Sequence, residues 1–205
     1  MNNILVLTAV EKERQAAAEA LGNDKRFILS LCGFGPVESA ARTMQEILKH
    51  KPDLVINAGI AGGFPGRSEI GDTVIATESI FADLGAESAG GFLGTAELGF
   101  GRDRWRSAIA EKYQLSGVRQ GQILTLSTAT GTETRQKELA SRYPEAIAEA
   151  MEGAGAAAAA SIREVDFLEI RTISNLIGPR DKGSWELETA LNSLCKSMKQ
   201  LQEVI

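Results

Sequence analysis

The sequence predicts an α/β protein, a single domain over residues 1–205 in three layers. Its central sheet should be mixed but mainly parallel, with helices on both faces. Three observations carry this. Short apolar runs such as NILVLTAV (3–10) and DLVINAG (53–59) lack polar alternation, as strands buried on both faces do. These runs alternate with segments of helical composition and spacing. The chain has 205 residues, enough to bury a core without disulfide staples.

Each element follows in order. The first strand leads into EKERQAAAEALG (11–22), a run of helix formers closed by Gly22. RFILSLC (26–32) is a second strand. GFGPVESAARTMQEILKH (33–50) reads as a glycine turn, Pro36 in the first helical turn and an amphipathic helix. DLVINAG is the third strand and opens into a glycine-rich turn, GIAGGFPG (59–66). DTVIATESIFA (72–82) is a fourth strand, long or bent. Residues 83–101 are glycine-rich with little periodicity, and a loop of that length is often functional. RWRSAIAEKY (104–113) reads as helix, GVRQGQILTLS (117–127) as strand and TETRQKELASRY (132–143) as helix. EAMEGAGAAAAASIRE (149–164) reads as a closely packed helix, DFLEIRTISN (166–175) as strand and SWELETALNSLCKSMKQLQEV (184–204) as a closing helix.

Composition removes several function classes. The net charge is −5 with no basic block, which argues against nucleic acid or an anionic membrane surface as partner. Cys32 and Cys195 stand far apart without metal-knuckle spacing, and His50 is the one histidine. A disulfide framework and a histidine-rich metal site are thereby excluded. A Ser-His-Asp mechanism would have to use His50. The N-terminus lacks a charged signal-peptide start, and no apolar run reaches spanning length, so a cytoplasmic protein is expected. Gly59, Gly62, Gly63 and Gly66 do not match the dinucleotide G-x-G-x-x-G spacing, Gly33 and Gly35 lack a third glycine, and no P-loop occurs.

Three residues stand out for chemistry. Asn175 closes a buried strand, where asparagine is unusual, so it is a cap or a site residue. Glu152 lies among small residues and would be costly to bury without partners. Glu13 sits in the first turn of a helix, where the dipole favours an acid.

Four segments in order, ILVLTAVEKER (4–14), NAGIAGG (57–63), AEAMEGAGAA (148–157) and FLEIRTISNLIG (167–178), resemble the purine nucleoside phosphorylase and nucleosidase superfamily. The resemblance runs over nearly the whole chain. Its specific part is Met-Glu-Gly followed by a strand ending Arg-x-Ile-Ser-Asn. TAVEKER, Asn175 and GPRDKGSW (178–185) are most similar to a branch that serves a menaquinone biosynthetic route by hydrolysis, with hypoxanthine as leaving base.

The resemblance implies a nucleoside phosphorylase-like fold, a small-molecule purine nucleoside as substrate, no cofactor, no metal and a homo-oligomer. It implies that Glu13 activates the attacking water, and that Asn175 contacts N7 and the six-substituent of the base. It implies that Glu152 accepts hydrogen bonds from ribose hydroxyls, with Met151 packed against the sugar. Gly59, Ile60, Ala61 and Gly62 would bring the backbone close to the ribose, with Gly33 and Gly35 beside them. An amide at 175 offers its NH2 to the acceptors of a 6-oxopurine, where a protonated carboxyl suits adenine. Arg171, inside a strand, is expected in a structural ion pair.

Glu13 near the anion position repels phosphate, and Ile60 has no side chain to hold one, so hydrolysis is favoured over phosphorolysis. Arg102, Arg119 or Arg180 could still complete an anion site. The alternatives are a methylthioadenosine/adenosylhomocysteine-type nucleosidase, a purine nucleoside phosphorylase and a non-catalytic nucleoside-binding domain. Residues 83–101 and 178–185 are candidates to contact the distal part of the substrate.

Overall fold

The computed structural model describes residues 2–110, 112–113, 115–181, 183 and 185–205. The strands are β1 (Ile4–Thr8), β2 (Phe27–Leu31), β3 (Leu54–Gly63), β4 (Thr73–Phe81), β5 (Gly85–Ser88), β6 (Gly91–Gly94), β7 (Arg104–Arg106), β8 (Val118–Thr125), β9 (Ala146–Ala150) and β10 (Asp166–Leu176). The helices are α1 (Glu11–Leu21), α2 (Pro36–His50), α3 (Glu133–Arg142), α4 (Gly153–Ile162) and α5 (Leu187–Val204).

The main sheet runs β2-β1-β3-β9-β8-β4-β10, with β7 on the outer part of β4. β1 pairs β2 and β3 in parallel, as do β4 with β8, β8 with β9 and β10 with β3. β10 also pairs β4 antiparallel, and β3 pairs β9 antiparallel at Gly62 and Gly63. Strands β3, β10, β4, β8 and β9 thus close on one another, while β1 and β2 extend the sheet outward. The closed part gathers an apolar cluster from all five strands, including Ala61, Val74, Ile123, Ala148 and Ile173.

Both faces of β1 are buried, which is why its sequence does not alternate. Ile4 and Val6 join Ala17 of α1 and Leu194, Met198 and Leu201 of α5 on one side. Leu5 and Leu7 join Ile47 of α2 and Ala159 and Ala160 of α4 on the other. This is the three-layer α/β arrangement that the apolar runs predict.

Five local expectations need correction. The GIAGG stretch is not a turn: β3 continues through Gly63, and the turn comes at Gly66, where φ is +76°. The expected helix over 104–113 begins as strand β7, because Arg104, Trp105 and Arg106 pair with β4. Glu111 of that segment lies outside the described residues. The expected helix over 149–164 starts only at Gly153. Its first residues finish β9, whose AIAEA run is held between β8 and β3, so tertiary pairing overrides alanine's helix propensity. Residues 83–101 contain a hairpin, β5 with β6. The closing helix starts at Leu187 instead of Ser184, which lies outside the described residues together with Lys182. The bend expected in the fourth strand is a register shift between Ala76 and Glu78.

Candidate active site

Glu13 sits in the first turn of α1, shortly after β1. Its Oε2 accepts the N–H groups of Ala9 at 3.0 Å and Val10 at 3.2 Å, bonds that close the start of the helix. Oε1 reaches across to β3 and accepts the Ile60 N–H at 2.9 Å. The side chain is buried. Burial raises its pKa above the ordinary value, and the neighbouring Arg171 charge and the Ile60 N–H oppose the rise. Gly59 makes room for this arrangement: a Cβ there would lie 2.6 Å from Glu13 Oε1 and 2.7 Å from Arg171 Nη1.

Arg171, in the middle of β10, is 1% exposed. It donates to Glu169 Oε1 through Nε at 3.0 Å, to Glu152 Oε2 through Nη1 at 3.3 Å and to Asn57 Oδ1 through Nη2. Glu169 also accepts from Ser79 Oγ. The expected structural ion pair is therefore present, and one of its carboxylates is Glu152. The guanidinium offsets buried negative charge that would otherwise cost on the order of several kcal/mol per ion. Glu169 explains Gly153: any Cβ at that glycine would overlap the Glu169 carboxylate. The Met-Glu-Gly motif is thus a packing requirement of the ion network as well as a carrier of Glu152.

Glu152 caps α4 and is buried. Its Oε1 accepts the Gly35 N–H at 3.2 Å, and its carbonyl accepts Ser39 Oγ at 3.0 Å. The start of α2 is thereby fastened to the start of α4. Gly35 acts through its backbone, with φ at +83°, a conformation that glycine adopts without strain.

Asn175 lies beyond a β-bulge in β10, where the register to β3 shifts between Ile173 and Asn175. Such a bulge re-aims the side chains that follow it. The Ser174 hydroxyl donates to Asn175 Oδ1 at 2.9 Å. The same hydroxyl lies 3.2 Å from the Ala61 carbonyl. Nδ2 donates to the adjacent Leu176 carbonyl at 3.2 Å, which leaves its second N–H for a ligand on the cavity side.

Glu13, Ile60, Ala61 and Gly62 line one cavity together with Met151, Glu152 and Asn175. Gly59 does not line it: it lies behind, beside Glu13 and Arg171, because β3 continues as a strand and turns that residue away. Of the three arginines considered for an anion, Arg180 lines the cavity. Arg119 pairs with Asp72 at 2.6 Å and Arg102 donates to Ser161 Oγ at 3.2 Å, both away from it. Residues 83–101 do not line it; Gly85–Ser88 and Gly91–Gly94 among them form the separate hairpin. From 178–185, Gly178, Pro179, Arg180, Asp181 and Trp185 do. His50 ends α2 beside Glu46, off the cavity. Among the described residues no group of three or more His, Cys, Asp or Glu side chains is placed to hold a metal ion.

The sequence reading missed Phe34, Thr130 and Glu149, all on the cavity wall. Glu149 was hidden by assigning it to a helix. The alternation in AIAEA after Pro144 was the available signal for a strand with Glu149 on one side. Phe34 and Thr130 sit in connections, where periodicity says nothing about direction.

A closed mixed sheet with carboxylates, an amide and close-passing glycines around one cavity defines the class: a nucleoside phosphorylase-like enzyme acting as a nucleoside N-glycosidase. Residues 9–205 match the Phosphorylase superfamily, and the chain belongs to it. Within it, the chain is 38% identical to a futalosine hydrolase of Streptomyces coelicolor, over 99% of this chain and 96% of that protein. Its fold superposes on the futalosine hydrolase of Helicobacter pylori with a TM-score of 0.83 at 20% identity, covering 100% of this chain and 98% of the other. A methylthioadenosine/adenosylhomocysteine nucleosidase of Neisseria meningitidis, solved with methylthio-immucillin-A, gives 0.82 at 25% identity, covering 100% and 98%.

Proposed function

We propose that this chain hydrolyses futalosine to hypoxanthine and dehypoxanthine futalosine in a menaquinone biosynthetic route, acting as a single domain. The observation that carries the reading is one cavity holding Glu13, Glu152 and the donor end of Asn175. The 38% identity to a futalosine hydrolase supports the same substrate.

In this mechanism water attacks the anomeric carbon of the ribose from the side opposite the base. The new C–O bond forms as the C1′–N9 bond breaks, and the electron pair of that bond leaves with hypoxanthine. Glu13, ionised, takes a proton from the water. The departing base gains a proton from solvent. Asn175 donates to N7 or O6, where negative charge accumulates on the base. Glu152 accepts hydrogen bonds from the ribose hydroxyls, and its charge favours the cationic sugar of the transition state. Met151 supplies a soft apolar surface beneath the sugar.

Futalosine carries a benzoate in place of the ordinary 5′ hydroxyl. Arg180 and Trp185 line the cavity, with the guanidinium carbon 5.6 Å from the indole ring centre. A cation next to an aromatic face suits a benzoate. Three apolar residues around the cavity, Val10, Phe34 and Leu176, are exposed, Phe34 by 65%. An apolar rim of this kind supports a homo-oligomer in which a second subunit covers it.

The test is incubation of the purified protein with futalosine, with and without phosphate, and chromatography of the products. Equal release of hypoxanthine in both is the expected outcome. A requirement for phosphate would turn the reading to a phosphorylase. A preference for methylthioadenosine would turn it to the nucleosidase alternative.

A further inference from the structure

Glu149 has no part in the mechanism above, yet it is built into the cavity wall. It lies on β9 and is 6% exposed. Its Oε1 accepts the Thr130 N–H at 2.8 Å and its Oε2 accepts Thr130 Oγ1 at 2.6 Å. An ionised carboxylate has about four acceptor positions, so both oxygens retain capacity for a further donor. A neutral side chain could brace Thr130 as well, and burying a carboxylate is costly. Its presence on a cavity wall therefore points to a ligand group that needs an acceptor.

Gly62 relates Glu149 to Asn175. It stands in register with Asn175 on β10 and with Glu149 on β9. A Cβ at Gly62 would meet Ile177 Cγ2 at 2.6 Å and would be 3.4 Å from Asn175 Nδ2 and 3.6 Å from Glu149 Cγ, so the two polar residues stand close on either side of it. The amide and the carboxylate therefore flank Gly62 from neighbouring strands, and all three residues line the same cavity. A 6-oxopurine presents acceptors at N7 and O6 and, next to them, a donor at N1–H. An adenine presents a lone pair at N1. One amide donor followed by one carboxylate acceptor matches the first pattern and sets a carboxylate against the lone pair of the second.

We propose that Glu149 is a specificity-determining residue that accepts the N1–H of the 6-oxopurine while Asn175 donates to its O6 or N7 edge. This rests on the reading of the chain as a 6-oxopurine nucleosidase and assigns the discrimination to two residues. Thr130 then acts as the brace that keeps Glu149 pointed at the base.

The experiment compares wild type with Glu149→Gln on futalosine and on its 6-amino counterpart, aminodeoxyfutalosine. A charge-assisted bond exchanged for a mismatched amide should lower the futalosine-to-amino ratio of kcat/KM by about ten- to a hundredfold. The glutamine NH2 can donate to adenine N1, so the amino substrate should be spared. If Glu149 merely braces the Thr130 loop, both substrates decline together, and an unchanged ratio overturns the proposal. A second measurement needs no turnover: calorimetric titration of each protein with free hypoxanthine and free adenine. Wild type should prefer hypoxanthine and the variant should lose that preference. Should Glu149→Gln fail to fold by circular dichroism, wild type titrated with 1-methylhypoxanthine decides. Binding as tight as hypoxanthine overturns the proposal, and a loss of about tenfold or more supports it. If wild type does not hydrolyse futalosine, the functional reading falls, while the base titrations still judge Glu149 separately.

Discussion

Glu13 Oε1 accepts the backbone N–H of Ile60 at 2.9 Å, tying the first turn of α1 to the middle of β3. The same carboxylate holds the Ala9 and Val10 N–H groups through its other oxygen. A residue that looks like an ordinary helix-start acid is thus fixed in place on a cavity wall. Replacing it with glutamine puts an NH2 against at least one of those N–H donors. Glu13→Gln should lower kcat by ~100- to 10,000-fold with substrate affinity within about tenfold. Single-turnover release of free base, with equilibrium binding alongside, measures both. Unchanged turnover would remove Glu13 from the mechanism.

The raised pKa of Glu13 sets the direction of the pH dependence. A base works only when ionised, and burial makes ionisation harder. As pH falls, Glu13 gains its proton earlier than a free glutamate with the ordinary value of 4.5. The acid limb of kcat/KM should therefore lie above 4.5 and not below it. A profile flat down to that value would contradict the assignment.

Arg171→Met should be among the most damaging changes in the chain. It leaves the carboxylates of Glu152 and Glu169 buried without their cation. Breaking a buried pair in this way costs about 3–5 kcal/mol, readable as a lower urea midpoint at neutral pH. The variant should recover stability as pH falls, because protonation removes the unpaired charge and the pKa of Glu169 is already raised by burial. Stability that falls in parallel with wild type on acidification would argue against that account.

Asn175→Asp tests the reading of the six-position. An ionised aspartate would face O6 acceptor to acceptor. Loss of one oriented donor costs about 3 kcal/mol of barrier, on the order of a hundredfold in rate. The ratio of kcat/KM for the 6-amino substrate over futalosine should rise relative to wild type. If it stays put, Asn175 serves as a strand-end residue held by Ser174.

Gly59→Ala probes the space behind the cavity. Its Cβ would meet Glu13 Oε1 at 2.6 Å and Arg171 Nη1 at 2.7 Å, so one of the two must move. Because Gly59 does not line the cavity, the expected effect is a loss of kcat larger than any change in substrate affinity. Steady-state kinetics with a direct binding measurement separates the two. A rise in KM alone, with kcat intact, would place Gly59 against substrate after all.

Much of this protein is written locally. The apolar runs at the start of β1 and β3 state that both faces are covered, because no polar alternation divides them. The spacing in α2 and α5 states which face packs, and Pro36 marks where α2 starts. Met-Glu-Gly and the Arg-x-Ile-Ser-Asn strand end locate Glu152, Arg171 and Asn175 in the chain, and all three prove to be neighbours of the site.

The tertiary structure decided what local preference contradicts. β9 is alanine-rich, a composition that favours helix, yet it fills the gap between β8 and β3 and closes the sheet. The glycines of β3 look like a turn, yet they extend as strand because they pair with β10 and β9, and they are glycine because Glu13, Arg171, Ile177 and Ser68 fill the space that side chains would take. Glu149 met Asn175 only when β9 and β10 came to lie on opposite sides of Gly62. Hydrophobic spacing along a chain reports which faces are covered. It carries no information on which distant strand does the covering, and so the sequence determined the layers and the reacting groups, while strand pairing decided which of those groups share a cavity.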